Sequence, residues 1–343
     1  MTKREVAANC GMVKGDTRGL IMTTWTKLGT VCGGVVAAWL MSVAVVAAAD
    51  VTFQHRDDRV DVMLDGKPFT SYIFAGYAKP ILYPVLGPGG IPMTRSYPVE
   101  EGVAGEATDH VHHESLWFTH DEVNGVDFWA HRPDGEGRHA RIVQQSMPVC
   151  EDGVIVTENA WTAPDGTVVL TDTRRFVFGG DDAERTIDVD VTLHASEGDV
   201  HFGDTKEGTM AIRVRTPLQL KDGSGSAGAA GHIRTSEGLV DGDAWGKRAK
   251  WVDYFGVIDG TPAGIALFDH PENLRHPTRW HARDYGLFTA NPFGVKHFTG
   301  NEDETGGYTL PSGKDLTLRY RFVFHGDVDA RDLETQWKAW AGR

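Results

Sequence analysis

Cysteine, positive charge and long apolar segments are all scarce in this sequence. It has three cysteines. Cys10 and Cys32 lie among the first 49 residues, so the rest of the chain holds only Cys150 and cannot form an intramolecular disulfide. The sequence has 34 Lys and Arg against 48 Asp and Glu, a formal net charge of −14. An acidic chain repels phosphate backbones and anionic lipids, which argues against nucleic acid as a partner.

Common catalytic signatures are missing as well. The sequence contains no Gly-X-Ser-X-Gly elbow that would present a nucleophilic serine. It has no Gly-rich loop after a strand that would cradle a phosphate. It also has no pairs of cysteines for zinc or iron–sulfur ligation. Function must therefore be sought in histidine, carboxylate and aromatic side chains.

The longest apolar segment lies near the N-terminus. Basic residues precede a run of small and apolar residues from Val31 to Ala49, an order typical of a secretory signal peptide. We therefore predict that residues 1–49 are a signal peptide and that the protein is exported, to the periplasm or the medium. An uncleaved N-terminal membrane anchor is the alternative, because the run approaches the length of a spanning helix. No later segment is apolar enough to cross a membrane.

Alternation of apolar and polar residues dominates from Val51 onward, most clearly between Ile187 and Leu193. Asp-Gly pairs at 65–66, 152–153, 165–166 and 259–260 separate such segments and are typical of β-hairpins. Residues 251–258 and 263–268 are predicted to be the arms of one hairpin, and residues 316–324 a late strand. The pattern predicts an all-β fold, a large antiparallel β-sandwich that forms a single domain over residues 50–343.

Helix-forming signals are confined to the C-terminal end. Asp329 is predicted to cap a helix over residues 330–341, with an apolar stripe that packs on a sheet. The Gly- and Ser-rich segment 223–231 is flexible by composition. We predict a surface loop there, because the strand patterns on both sides are alike, and an inter-domain linker is the alternative.

Histidines concentrate in residues 109–120, which read Asp-His-Val-His-His-Glu-Ser-Leu-Trp-Phe-Thr-His. If this segment is extended, His110 and His112 point to one face and His113 to the other. The first two residues would then bind a metal ion jointly or bracket a substrate. A hydrogen-bonded cluster that holds a loop is the alternative. A divalent metal ion is thus a candidate cofactor, and the sequence requires no other.

A second cluster of charges occurs at residues 203–208, where the carboxylates of Asp204 and Glu207 flank Lys206. Close charges can tune a carboxylate for proton transfer. Glu207 is the candidate acid or base, and Lys206 a candidate hydrogen-bond donor to substrate. A solvated hairpin end is the alternative.

A third segment, residues 268–294, mixes rings with charged and amide side chains. Trp280 is predicted to stack on a sugar ring, while Arg283, His281 and Asn291 bind hydroxyl groups or a carboxylate. The alternative is a structural loop clamped by Arg and Pro residues.

The predicted site combines the three segments. The catalytic candidates are the groups that exchange protons, namely His112, His113, Glu207 and His281. The substrate-binding candidates are the rings and polar groups around them, namely His110, Trp117, His120, Asp204, Lys206, Asp269, His270, Trp280, Arg283 and Asn291. Among the tryptophans, only Trp117 and Trp280 are expected to line the cleft.

These motifs resemble those of the bacterial family named methane oxygenase PmoA. The resemblance is carried by residues 109–118, 124–129, 203–210 and 268–271, and residues 245–249, 275–281 and 290–294 extend it. This chain departs from the family pattern at Val111, where Pro is usual, and at Glu114, where Arg is usual. The resemblance implies an exported protein of polysaccharide-degrading bacteria, and it supplies no catalytic residue.

Taken together, the sequence predicts a carbohydrate-active enzyme on a mutarotase-like β-sandwich. It would be a hydrolase, lyase or epimerase that acts on a sugar or oligosaccharide by general acid/base catalysis. A non-catalytic carbohydrate-binding protein is one alternative, since it would need the aromatic and Arg side chains but not the titratable ones. A metal-dependent oxygenase, as the family name suggests, is the other. The expected partner is a carbohydrate or another small polar molecule, with no nucleic acid and no membrane beyond the N-terminal segment.

Overall fold

Antiparallel β-sheets dominate this computed structural model, which describes residues 49–132, 134–220 and 225–342. The predicted leader, apart from Ala49, lies outside the described residues. So do residues 223 and 224 of the predicted Gly-rich loop. Residues 225–230 are irregular, and Gly231 forms a bridge with Leu220.

Three sheets are formed, and every strand pair in them is antiparallel. The first has, in spatial order, β1 (Val51–His55), β2 (Arg59–Leu64), β3 (Lys67–Ile73), β4 (Ile81–Val85), β5 (Leu116–His120), β14 (Gly208–Arg213), β19 (Leu287–Asn291) and β18 (Arg279–Trp280). The second has β15 (His232–Thr235), β16 (Trp251–Ile258), β17 (Thr261–Asp269), β21 (Asp315–His325), β12 (Glu184–His194), β11 (Val168–Gly180), β10 (Val154–Thr162) and β8 (Arg141–Gln144), with β9 (Val149–Glu151) also on β10. The third is small and has β20 (Tyr308–Leu310), β13 (Val200–Phe202), β6 (Glu122–Val123) and β7 (Val126–Asp127).

The two large sheets bury their facing sides in one apolar cluster, which we term the main core. In β12 the residues alternate between buried and partly exposed along all eleven positions, and Ile187, Val189 and Val191 have no exposed surface. Strand β2 contributes Val60 and Val62 to the same cluster from the opposite sheet. The predicted antiparallel β-sandwich is confirmed, because period-two alternation places one apolar row of each strand toward the other sheet.

The Asp-Gly pairs form the tight turns that the sequence predicts. Asp65 and Gly66 join β2 to β3 with φ angles of 49° and 72°, and Asp259 and Gly260 join β16 to β17 with 50° and 82°. Positive φ at both central positions matches the right-handed twist of the flanking strands. The hairpin predicted at residues 251–268 and the late strand at 316–324 are thereby confirmed.

The described residues contain two α-helices, α1 (Lys296–Thr299) and α2 (Ala330–Ala341), and 3-10 turns at residues 88–90, 216–218 and 241–244. The Asp329 carboxylate accepts hydrogen bonds from the backbone N–H groups of Arg331 and Asp332, which confirms the predicted cap of α2. Leu333 and Trp340 pack α2 on the outer face of β16, β17 and β21. None of the helices in the described ranges is long and apolar enough to cross a membrane.

The first sheet is also covered on its other face. In β5, Leu116 and Phe118 belong to the main core, whereas Trp117 between them joins a second apolar cluster with Ala211 and Leu287. Successive side chains of these central strands therefore lie on opposite faces of the sheet, one face toward the main core and the other toward the second cluster. The second cluster forms a rigid base on the outside of β5, β14 and β19.

Candidate active site

A cavity of about 440 Å³ lies over this base. It is lined by groups from the segments that flank β5 and precede β14 and β19, namely His110, His112, His113, Asp121, Trp129, Ala130, Arg132, Lys206, Glu207, Arg283 and Tyr285. Since β5 pairs with β14 and β14 with β19, segments almost 180 residues apart in the chain meet here. The cavity has the size of small-molecule sites, which span ~300–1,000 Å³.

Two buried arginines hold the histidine-rich segment in place. Arg95 donates to the carbonyl oxygens of Asp109, His110 and His113 at 2.9, 3.0 and 3.3 Å, and to Asp109 Oδ1 at 2.6 Å. Arg213 donates to the same Asp109 oxygen at 3.0 Å. Hydrogen bonding to His110 and the two guanidinium groups hold the pKa of the Asp109 carboxyl well below its usual range.

His110 is fixed in an unfavourable backbone conformation. Its φ angle of 46° lies in the left-handed region, which costs a non-glycine residue about 1 kcal/mol or more. Arg95 stabilises this conformation through the His110 carbonyl group, and Asp109 Oδ2 contacts His110 Nδ1 at 2.7 Å. The imidazole ring lies nearly parallel to the rings of both His113 and Tyr285, with centroid distances of 4.7 and 5.2 Å.

The tautomer of His113 follows from its partner. Arg213 lies 3.0 Å from His113 Nδ1. Because a guanidinium group can only donate, Nδ1 must accept, and the ring proton is on Nε2. Burial, followed by the charges of His112 and Arg213, places the pKa of His113 well below its ordinary value. His113 is therefore a neutral group with one N–H available to a ligand.

Beside it, His112 borders a buried ion pair. Lys79 Nζ lies 2.5 Å from Glu114 Oε2, and it also donates to the His112 carbonyl oxygen at 3.0 Å and approaches His131 Nε2 at 3.1 Å. Burial and the Lys79 charge lower the pKa of His112 to about 4 and that of His131 to about 2. All these imidazoles are neutral at pH 7.

Glu207 sits at the opposite wall, in contact with the Lys206 ammonium group. Behind it, His281 Nδ1 donates to the Lys206 carbonyl oxygen at 3.0 Å and lies 3.6 Å from Glu207 Oε2. His281 is fully buried, and burial with the nearby Lys206 charge keeps its pKa well below the ordinary value. His281 does not line the cavity, and its hydrogen bond holds the backbone of Lys206, the residue before Glu207.

Asp121 is the second carboxyl group of the cavity. Its backbone N–H donates to the Glu207 carbonyl oxygen at 2.9 Å, so the two residues lie side by side, and Thr205 Oγ1 donates to Asp121 Oδ2 at 3.0 Å. Burial raises the pKa of Asp121 to about 6, with a further contribution from the neighbouring Asp127 carboxylate. Asp121 thus retains its proton at mildly acidic pH, where ordinary aspartates have lost it.

Six of the residues predicted from sequence meet in the cavity, and two lie directly beside it. The six are His110, His112, His113, Lys206, Glu207 and Arg283. Trp117 lies in the base, stacked on His113 with a centroid distance of 5.5 Å, and His281 lies behind Glu207. Neither Trp117 nor His281 is placed to touch a ligand.

The other predicted binding residues lie away from the cavity, and they have structural roles instead of binding roles. Trp280 belongs to the main core with no exposed surface, and its indole N–H donates to the Ala249 carbonyl oxygen at 2.9 Å. A sugar therefore has no access to its ring. His120 is equally buried; its Nε2 binds the Gly203 carbonyl oxygen at 2.9 Å.

The remaining four hold loops together. Asp204 accepts from the backbone N–H groups of Val295 and Gly306 at 2.7 and 2.6 Å. Asp269 has no exposed surface and binds Asn273, His276 and Thr278, whereas His270 packs edge-on against Trp340. Asn291 caps the backbone of residues 293 and 294. Their polar atoms bind other groups of the protein, so these residues hold the structure together away from the cavity.

Sequence reasoning did not find Asp121, Trp129, Arg132 and Tyr285, which also line the cavity. Trp129 was expected to be an ordinary core residue, yet it forms a wall, and its buried indole N–H has no partner in the parts of the chain that the structure describes. The sequence contained one signal for the position of Trp129, because the Asn-Gly turn before this residue returns the chain to the end of β5.

The residues present do not fit a bound metal ion. Within the described ranges there is no group of three or more His, Cys, Asp or Glu side chains arranged to hold one. His113 cannot supply a ligand, because its Nδ1 accepts from Arg213 and its Nε2 carries the ring proton. The predicted joint ligation by His110 and His112 therefore finds no ligand set.

Similar folds occur among solved structures of carbohydrate-active enzymes. The α-galactosidase AgaA of Geobacillus stearothermophilus is 7% identical, with 81% of this chain and 40% of that chain covered and a TM-score of 0.39. A putative aldose 1-epimerase of Escherichia coli is 10% identical, with 81% and 99% covered and a TM-score of 0.33. A galactose mutarotase related enzyme of Lactobacillus acidophilus is 10% identical, with 82% and 99% covered and a TM-score of 0.28. This chain spans about 40% of the galactosidase, and likenesses this weak carry no argument about function.

Family membership corrects one expectation from the sequence. No curated protein matches the chain. Assignment to the methane oxygenase PmoA family is wrong, because the family model that matches over residues 59–338 is a different one. The motifs at residues 109–118 and 203–210, which carried the resemblance, lie within this match and supply residues of the cavity. The chain belongs to the family of unknown function DUF6807.

Proposed function

We propose that this protein is a carbohydrate-active enzyme that binds a sugar in the cavity and transfers protons through Asp121 and Glu207. The observation that carries the proposal is the position of these two carboxyl groups, side by side in one cavity with unlike surroundings. Asp121 is partly buried and near a second carboxylate, whereas Glu207 contacts an ammonium group. Two carboxyl groups in unlike surroundings are suited to opposite roles, one as acid and one as base.

The walls of the cavity suit a ligand rich in hydroxyl groups. Trp129 and Tyr285 provide rings for the apolar face of a sugar. Charged and imidazole groups around them can bind hydroxyls through directed hydrogen bonds. A non-catalytic carbohydrate-binding protein would need these walls, but it would gain nothing from a carboxyl group that keeps its proton near pH 6.

In this proposal the predicted roles of the histidines change. A neutral imidazole with a pKa near 4 is a weak base and carries no spare proton at pH 7. His112 and His113 therefore bind substrate, and His113 donates from Nε2. Asp121 gives a proton to the leaving or ring oxygen, and Glu207 accepts one from the attacking water, a hydroxyl group or a carbon. Hydrolysis, elimination and epimerisation all need such a pair, and their products distinguish them.

The test is turnover on a panel of oligosaccharides and monosaccharides, with products identified by mass spectrometry and NMR. We expect Glu207→Gln and Asp121→Asn each to lower kcat by about 10²–10⁴-fold, with little change in KM. Glu237→Gln, at an exposed turn, is the matched control and should be unaffected. Turnover that survives both substitutions would exclude this pair, and binding without product would favour the non-catalytic alternative.

We also propose that the protein acts outside the cytoplasm, as the predicted signal peptide at residues 1–49 suggests. Expression of the full chain in a bacterial host, followed by fractionation and N-terminal sequencing, tests this. A mature protein that begins near Asp50 in the periplasm or medium is expected. An intact N-terminus in the cytosol would contradict the proposal.

A further inference from the structure

Arg283 is a half-buried cation at the cavity wall, and its side chain has no polar partner in the part of the chain that the structure describes. Its guanidinium group has no hydrogen bond and no ion pair with any residue in 49–132, 134–220 or 225–342. Other buried or half-buried arginines have at least one polar partner, for example Arg174 with Asp172 at 2.8 Å and Arg234 with Asp253 at 2.8 Å. Five N–H donors left unused at a cavity wall are suited to a ligand.

The position of this guanidinium group is fixed by aromatic rings. Its central carbon lies 4.9 Å from the ring centroid of Trp245 and 5.2 Å from that of Tyr285. A guanidinium group that stacks on rings keeps its N–H edge free, and that edge matches the two oxygens of a carboxylate. A flexible surface arginine would offer no such preorganised donor pair.

Arg283 differs from the neighbouring cations, because each of those has a carboxylate partner. Lys206 and Arg132 line the same cavity, and Arg213 lies under the Tyr285 ring at 4.6 Å. Of the two acidic groups in the lining, Glu207 is in contact with Lys206. His112 and His113 are neutral at pH 7, so they neither attract nor repel an anion through a net charge. Lys206, Arg132 and Arg213 thus pair with the carboxylates of Glu207, Asp127 and Asp109, respectively, whereas Arg283 has no ion pair within the described ranges.

From these observations we infer that the sugar bound in the cavity carries a carboxylate group, as a uronic acid does, and that Arg283 binds it. The inference rests on the proposed function, because it names the substrate class of the same site. A carboxylate fits better than a phosphate ester, since a single planar donor fork is present instead of a ring of donors.

Binding of matched sugar pairs tests the inference. The probes are galacturonate and its oligomers against galactose and its oligomers, galactose 6-sulfate as a second anion, and tartrate as a carboxylate that is not a sugar. Affinities are measured by isothermal titration calorimetry for the wild-type protein, Arg283→Gln, Arg283→Lys and the control Arg331→Gln, whose arginine is exposed on α2. Thermal unfolding confirms that each variant is folded.

We expect galacturonate ligands to bind the wild-type protein at least tenfold more tightly than galactose ligands. Arg283→Gln should weaken uronate binding by about 10- to 100-fold, the range for loss of a charged hydrogen bond, and leave neutral sugars unchanged. Arg283→Lys should recover part of the preference, because it keeps charge but not the fork. Arg331→Gln should bind like the wild-type protein.

The two hypotheses fail in different ways. Equal affinity for neutral and acidic sugars would overturn the inference and leave the proposed function standing. Binding of tartrate but of no sugar would overturn the proposed function. Three results would reject carboxylate recognition by Arg283: the sulfate ester binds more tightly than the uronate, Arg283→Gln weakens the binding of all ligands equally, or no carboxylate binds.

Discussion

Asp121→Asn should make the protein more stable at neutral pH. The carboxyl group has an ordinary pKa of 3.8 when unfolded and about 6 in the folded protein. A group whose pKa is raised by folding contributes stability that is fully present below pH 3.8 and is lost as the pH rises through 6. At pH 7 the folded protein therefore holds a carboxylate in an environment that favours the neutral form.

The size of the effect follows from the shift. The difference between the two pKa values corresponds to about 3 kcal/mol, and solvent in the cavity reduces this, so we expect a gain of about 1–3 kcal/mol at pH 7. An amide keeps the hydrogen bond from Thr205 Oγ1 and cannot ionise. The gain should shrink toward zero near pH 4, where the wild-type carboxyl group is protonated.

Urea unfolding between pH 4 and 8 measures this difference. Asp57→Asn, at an exposed position in the turn between β1 and β2, is the control and should show no such pH dependence. The reasoning fails if Asp121→Asn is less stable than the wild-type protein at pH 7, or if the difference between the two proteins does not change with pH. A stabilising substitution that removes activity would be the pattern of a functional site.

Two further substitutions separate structural from binding roles. Lys79→Met should lower the free energy of unfolding by about 3–5 kcal/mol, because it leaves the Glu114 carboxylate buried without its partner. Adding Glu114→Leu should restore most of this loss in a double-mutant cycle measured by urea unfolding. A double variant as unstable as the single one would contradict this expectation. Trp280→Ala should lower the free energy of unfolding by about 3–5 kcal/mol, measured in the same way, and leave sugar affinity unchanged. Trp129→Ala should instead weaken sugar binding in titration calorimetry. The reverse result would show that the cavity wall is misassigned.

Part of the candidate site was predictable because short segments of sequence hold several of its groups. His110, His112 and His113 stand in one segment, and Lys206 and Glu207 in another. The density of titratable groups was the signal, and these segments meet in the cavity. The proton-donating role that we propose for Asp121 was not predictable from the sequence, since the raised pKa of its carboxyl group depends on burial and on a carboxylate six residues away.

Local sequence could not tell which rings are reachable from solvent. Trp129 and Trp280 both stand among polar and aromatic residues, yet the first lines the cavity and the second fills the main core. Likewise, burial keeps His113 neutral, and its tautomer is set by Arg213, which is 100 residues away in the chain. Such contacts depend on strand order in the sheet, which alternation within a strand does not specify.

The sequence by itself determined the all-β class, the Asp-Gly hairpins and the capped C-terminal helix, because each depends on interactions between residues close together in the chain. Only the tertiary structure decided that β5, β14 and β19 are neighbours. That order places Asp121 beside Glu207, and it leaves the Arg283 side chain without an acceptor among the residues that the structure describes. The chemistry of the cavity depends on distances and burial across the sheet, and these exist only in the folded chain.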